Sequence, residues 1–111
     1  MGGCFMFELR YGIMDNGERY EDKRTKMRNF RHCFRSVMGV FHFISDEDWL
    51  YGEIYEDNIL VGKMDNYGCF TFIIDGEEVK PRGAVYSGMS YARSMEEIKN
   101  IYKNGDKNVH Y

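Results

Sequence analysis

The sequence predicts an α+β domain: an antiparallel sheet of five to seven strands, with an amphipathic helix near 23–38 packed on it and a short second helix near 94–103. Three observations carry this. Residues 5–13 alternate strictly between apolar and mixed positions, which is the signature of a strand with one buried face. Residues 49–80 read as short apolar runs separated by turn residues, the pattern of a meander. Apolar residues recur at helical spacing from Met27 to Met38 and again from Met95 to Tyr102. A small barrel plugged by one helix is the alternative architecture for the same elements.

In chain order, Phe5, Phe7, Leu9, Tyr11 and Ile13 share one strand face, and Asp15-Asn16-Gly17 supplies a turn because Asn and Gly accept positive φ cheaply. A short return strand is expected over 18–20. Asp22 is placed to cap the first helix, whose inner face is Met27, Phe30, Phe34, Val37 and Met38, with Gly39 as its stop. The apolar run 40–44 reads as a strand, broken by Ser45-Asp46-Glu47-Asp48. Strands follow at 49–55, 59–64, 69–74 and 77–80, and Asp75-Gly76 is the clearest hairpin turn in the chain. Pro81 ends that strand, and 84–86 is expected to add a final short one. Ser94 and Glu97 form a capping box that opens the second helix, and Gly105 is its expected end, leaving 105–111 as a loose tail.

The 111 residues fit one domain able to bury a core without covalent staples, and nine Tyr and eight Phe supply large side chains for it. Charged residues at 30% and a mean hydropathy of −0.57 argue against a membrane protein. Glu8 and Arg10 interrupt the first apolar stretch, so it does not read as a secretory signal, and Met6 stands where myristoylation wants Ser or Thr. Cys4, Cys33 and Cys69 are odd in number and widely spaced, which fits a reducing compartment; cytoplasm is the expectation.

The charge layout is lopsided. Lys23, Arg24, Lys26, Arg28, Arg31 and Arg35 fall within thirteen residues that contain no acid, which leaves nine basic residues elsewhere against all 18 acidic ones. No Lys or Arg lies between Arg35 and Lys63, whereas Asp46, Glu47, Asp48, Glu53, Glu56 and Asp57 do. On a helix, Arg24, Arg28, Arg31 and Arg35 would fall within about 60° of one another and form a stripe beside the apolar face. Such a stripe has three readings: a solvated or internally paired face, a phosphate-gripping surface, and a docking surface for an acidic partner. Just after the acidic turn, Trp49, Tyr51 and Tyr55 alternate on one strand face; buried they are core, exposed they are interface anchors.

Catalytic chemistry finds no constellation. His32 and Cys33 are helix neighbours pointing about 100° apart, so neither can activate the other. His42 shares its expected strand face with Val40 and Ile44, a packing environment. No metal-ligand spacing, EF-hand loop or phosphate-cradling Gly-rich loop is present, and no cofactor is expected. A short, Tyr- and Asn-rich, nearly Pro-free chain of this kind resembles accessory proteins of phages and mobile elements, which inhibit host machinery including defence nucleases. The expectation is a non-enzymatic protein that masks a partner protein's surface through the Arg stripe, the 46–57 acids and the Trp49/Tyr51/Tyr55 anchors. Capture of nucleic acid or a small nucleotide on the same stripe is the second expectation.

Overall fold

The computed structural model describes residues 6–15, 18–44, 50–65 and 68–108. Six strands form one antiparallel sheet: β1 (Phe7–Asp15), β2 (Glu18–Met27), β3 (Leu50–Glu56), β4 (Ile59–Met64), β5 (Phe70–Ile74) and β6 (Glu77–Val79). Their order is β2-β1-β3-β4-β5-β6, so the sheet is open, with β2 and β6 as its two edges; the barrel alternative is excluded. The described residues also form three helices: α1 (Phe30–Ile44), α2 (Gly83–Ser90) and α3 (Met95–Asn108).

The meander follows the sequence pattern closely. Asp57 and Asn58 turn β3 into β4, and Asp75 and Gly76 turn β5 into β6, all four with positive φ (50°, 68°, 52° and 82°). That double left-handed turn matches the right-handed twist of the flanking strands, which is why Asp, Asn and Gly occupy it.

Four expectations are corrected. The first helix begins at Phe30 rather than near 23, because residues 23–27 continue β2 and pair along β1 from Tyr11↔Lys23 to Phe7↔Met27. Local charge and helical spacing favoured a helix there, but the long apolar strand β1 needs a partner on its outer side, and β2 supplies it. The helix cap is accordingly Asn29, not Asp22: its side-chain oxygen accepts the His32 N–H at 3.0 Å. Second, 40–44 continues α1 through Gly39 rather than forming a strand; a short apolar run does not by itself separate strand from buried helix. Third, 84–86 lies within α2, whose Tyr86 meets Phe34 and Phe72 edge-on and whose Met89 is fully buried. Fourth, α3 runs past Gly105 to Asn108.

The core lies between the helices and one sheet face. Row by row, Leu9, Ile54, Gly62 and Phe72 share that face with Phe7. Phe30 and Phe34 of α1 enter a cluster with Phe7, Phe70, Phe72 and Tyr86, with ring centroids 4.9–6.4 Å apart, mostly edge-to-face. Cys33 and Val37, one turn along the same helix stripe, are fully buried. Gly52 is where α1 comes nearest: a Cβ there would sit 2.1 Å from Val37 Cγ2. The capping box of α3 forms with an offset. Ser94 Oγ accepts the Glu97 N–H at 3.3 Å, while Glu97 Oε2 reaches the Arg93 N–H at 2.7 Å.

Candidate functional site

The change of element at 23–29 redistributes the basic residues. Arg24 lies on β2, Arg28 in the bend after it, and only Arg31 and Arg35 lie on α1, so the four arginines do not form a stripe along one helix. They remain neighbours because the edge strand runs directly into the helix. Lys23, Arg24, Lys26, Arg28 and Arg35 are exposed, as is His32, and Arg31 is half-buried. The two sheet faces divide the strand residues: Lys23 pairs with Tyr11 on the helix side, whereas Arg24 and Lys26 pair with Arg10 and Glu8 on the other.

Arg31 is held. Its guanidinium lies 5.4 Å from the centroid of the Tyr91 ring, and the Phe30 N–H donates to the Arg93 carbonyl at 3.0 Å, tying the start of α1 to the α2–α3 connection. Its Nε is enclosed and makes no hydrogen bond. Among the described residues, no Asp or Glu forms an ion pair with Arg28, Arg31 or Arg35. Arg28 precedes α1, and Arg31 and Arg35 lie in its first and second turns, the first of which contains no acid. The free N–H groups and macrodipole already make that end positive, so the arrangement concentrates like charge.

The helix-free sheet face behaves oppositely. Arg10 of β1 stands between Arg24 and Glu53, and Glu53 is in turn opposite Lys63. Arg10 pairs with Glu8 and lies over the Tyr55 ring at 4.0 Å, the Tyr55 hydroxyl donates to Glu53 at 3.1 Å, and Lys63 pairs with Glu78. Arg10, Glu53 and Lys63 thus alternate in sign across β1, β3 and β4 of this face. Of the expected anchors, Tyr55 is therefore half-covered by Arg10, and Tyr51 keeps only 6% of its surface exposed. Trp49, with Asp46, Glu47 and Asp48, lies outside the described residues. Cys33 is sealed in the core, where burial pushes its thiol up to about 12, and His42 is in α1 rather than a strand.

A second feature was not anticipated from the sequence. Where the β3–β4 and β5–β6 turns meet the first turns of α3, they enclose a cleft of about 510 Å³. Its apolar lining includes Ile59, Val61, Ile73 and Met95, and Glu56, Asp57 and Asp75 stand around it with Lys99. Lys99 is engaged by Asp75 at 3.0 Å. Burial, reinforced by Asp57 and opposed by Lys99, holds the Glu56 carboxyl above the usual carboxylate range. In the sequence, 56–58 and 75–76 read only as turns; their meeting with 95–99 is tertiary and leaves no local signal.

Among the described residues, no group of three or more His, Cys, Asp or Glu comes together to hold a metal ion. No helix of these residues is long and apolar enough to cross a membrane. No family model, curated protein or solved structure matches the chain.

Proposed function

We propose that this chain is a non-enzymatic binding protein of the cytoplasm that masks a partner protein's surface, seating an acidic segment of that partner along β2 and the first turn of α1. The observation that supports it most directly is the trio Arg28, Arg31 and Arg35, grouped at a positive helix end without an ion pair to any described acid. Such crowding costs a few tenths of a kcal/mol per like-charge neighbour on a helix, and an anionic partner offsets it. β2 adds a second element of recognition. It is a ten-residue edge strand with no described strand on its outer side, and Lys23, Arg24 and Lys26 are exposed along its second half, so an extended acidic peptide can add to the sheet there. A masking role against a host defence protein, in the service of a phage or mobile element, is the biological setting we favour.

The test is capture of partners from host lysate by wild-type protein and by an Arg28→Glu/Arg35→Glu variant. Both residues are exposed, so the variant should fold, and it should lose the partner that the wild type retains. Equal recovery of the same proteins by both would remove the basic edge from the interface.

A phosphate-bearing ligand, nucleic acid or nucleotide, is the second reading. It is favoured by arginine rather than lysine at all three positions around the helix end, because the planar fork grips phosphate oxygens in pairs. The sequence pI of about 5.6 weighs against broad duplex binding. Salt separates the two readings: direct phosphate contacts make log K fall by about 0.7 to 0.9 per contact for each decade of salt, and a protein partner gives a shallower slope.

A further inference from the structure

We propose that the cleft between the two hairpin turns and α3 is a binding site for an organic cation, specifically an ammonium group carried on a short apolar stem. The site is independent of the basic edge and shares no residue with it. Its volume of about 510 Å³ lies within the range of roughly 300–1,000 Å³ usual for small-ligand sites.

The two halves of the ligand follow from the two halves of the cleft. Ile59, Val61, Ile73 and Met95 give it an apolar surface, with Ile59 67% exposed at its edge. Beside them Glu56 Oε2 is enclosed without a hydrogen-bond donor. Asp57, next in sequence, adds negative charge, and Lys99, the one cation among the described lining residues, is already held by Asp75. A turn of the Glu56 carboxyl toward an ammonium group in the cleft would give that oxygen the donor it lacks and answer the excess charge, while the stem covers the aliphatic surface. A divalent metal does not suit the same place: calcium wants six to eight oxygens, and aliphatic side chains form much of this lining. A neutral apolar ligand would leave the Glu56 oxygen unsatisfied.

The ammonium can belong to a free amine or to a lysine side chain of a bound segment, and the test separates them. The full chain is titrated with n-hexylamine, its neutral counterpart n-hexanol, and Nα-acetyl-lysine methylamide, following the Ile59 and Ile73 methyl signals and the Glu56 carboxyl carbon by NMR. Hexylamine should shift all three saturably and lower the Glu56 pKa, with hexanol about tenfold weaker, the factor expected for losing one charge-assisted hydrogen bond. Glu56→Gln should weaken hexylamine by a similar factor while leaving the methyl spectrum dispersed, and Asp57→Asn should weaken it less. Tighter binding of the lysine derivative identifies a lysine as occupant, and tighter hexylamine a free amine. Equal binding of hexanol and hexylamine, undiminished binding by Glu56→Gln, or no saturable shift at millimolar amine would each overturn the proposal. None of these outcomes bears on the basic edge, whose residues are untouched.

Discussion

Glu56 and Cys33 show how burial sets side-chain chemistry in this protein. For Glu56, desolvation and the neighbouring Asp57 raise the folded-state pKa, against the lowering effect of Lys99. A raised value means that the folded protein holds the proton more tightly than the unfolded chain. This contribution is fully present below the unfolded pKa and is lost as pH rises through the folded one. Glu56→Gln, which keeps the neutral shape, should therefore melt at a higher temperature than wild type at neutral pH. The gap should close as pH falls toward about 4, where the wild-type carboxyl is itself protonated. A gap that stays constant between about pH 4 and pH 8, or widens toward acid, would contradict this account of Glu56. Cys33 is fully buried with its thiol pushed up to about 12, whereas Cys69 is exposed. Brief treatment with iodoacetamide, followed by peptide mass mapping, should find Cys69 alkylated and Cys33 untouched until the chain is unfolded. Equal rates at the two cysteines would show that α1 opens readily. In α1, Cys33 is buried together with Phe30, Phe34 and Val37.

The close approach of α1 to β3 at Gly52 makes a sharper demand on the elements. A methyl group there would overlap Val37 Cγ2, and a β-branched valine fixed on a helix has no free rotamer into which to retreat. Gly52→Ala should destabilise by about 1–3 kcal/mol in urea denaturation, the usual range for overpacking. Adding Val37→Ala should recover part of that loss, because the two substitutions compete for one space. Full additivity would place the strain elsewhere. Nothing in the sequence marks Gly52 as a contact, since the pairing of β3 with α1 joins residues fifteen positions apart in unrelated local patterns. The strands β4, β5 and β6 were legible because turn chemistry punctuates them: Asp57-Asn58 and Asp75-Gly76 can hardly be anything but turns. Residues 23–27 and 40–44 were not, because each follows a pattern compatible with two structures. In the first case the deciding factor was a partner strand, and in the second the continuation of α1. The α2 segment was hidden for a related reason, as Val85, Tyr86 and Met89 are too few to establish a helical period over eight residues.

Charge at the level of the whole molecule is partitioned by topology. Acids and bases stand together over β1, β3, β4 and β6 of the helix-free sheet face, the cleft side is acidic, and exposed cations collect on the β2 edge and the adjoining helix end. The cluster of six basic residues was plain in the sequence, but its shape was not, because a stripe on one helix and an edge strand feeding a helix have the same composition. This shape gives the edge a second consequence that can be tested without any partner. An edge strand exposes unpaired backbone groups and invites pairing with another copy, and lysines along it oppose that. Lys23 and Lys26 are both exposed on β2, and replacing both with Thr removes two positive charges, taking the formal net charge from −3 to −5. If net charge governed association, the variant would repel its own copies more strongly and stay smaller. If the local edge governs, two strand-favouring neutral residues on a ten-residue edge strand should promote sheet-to-sheet pairing despite the greater net charge. We expect the second outcome, seen as growth in light scattering for Lys23→Thr/Lys26→Thr relative to wild type at equal concentration. The difference should persist at about 1 M salt, where the Debye length shrinks to about 3 Å and net-charge repulsion is screened for both proteins. Scattering equal to or below that of the wild type would show that the outer side of β2 is not open to a second strand, and would weaken strand addition as the way an acidic peptide docks there.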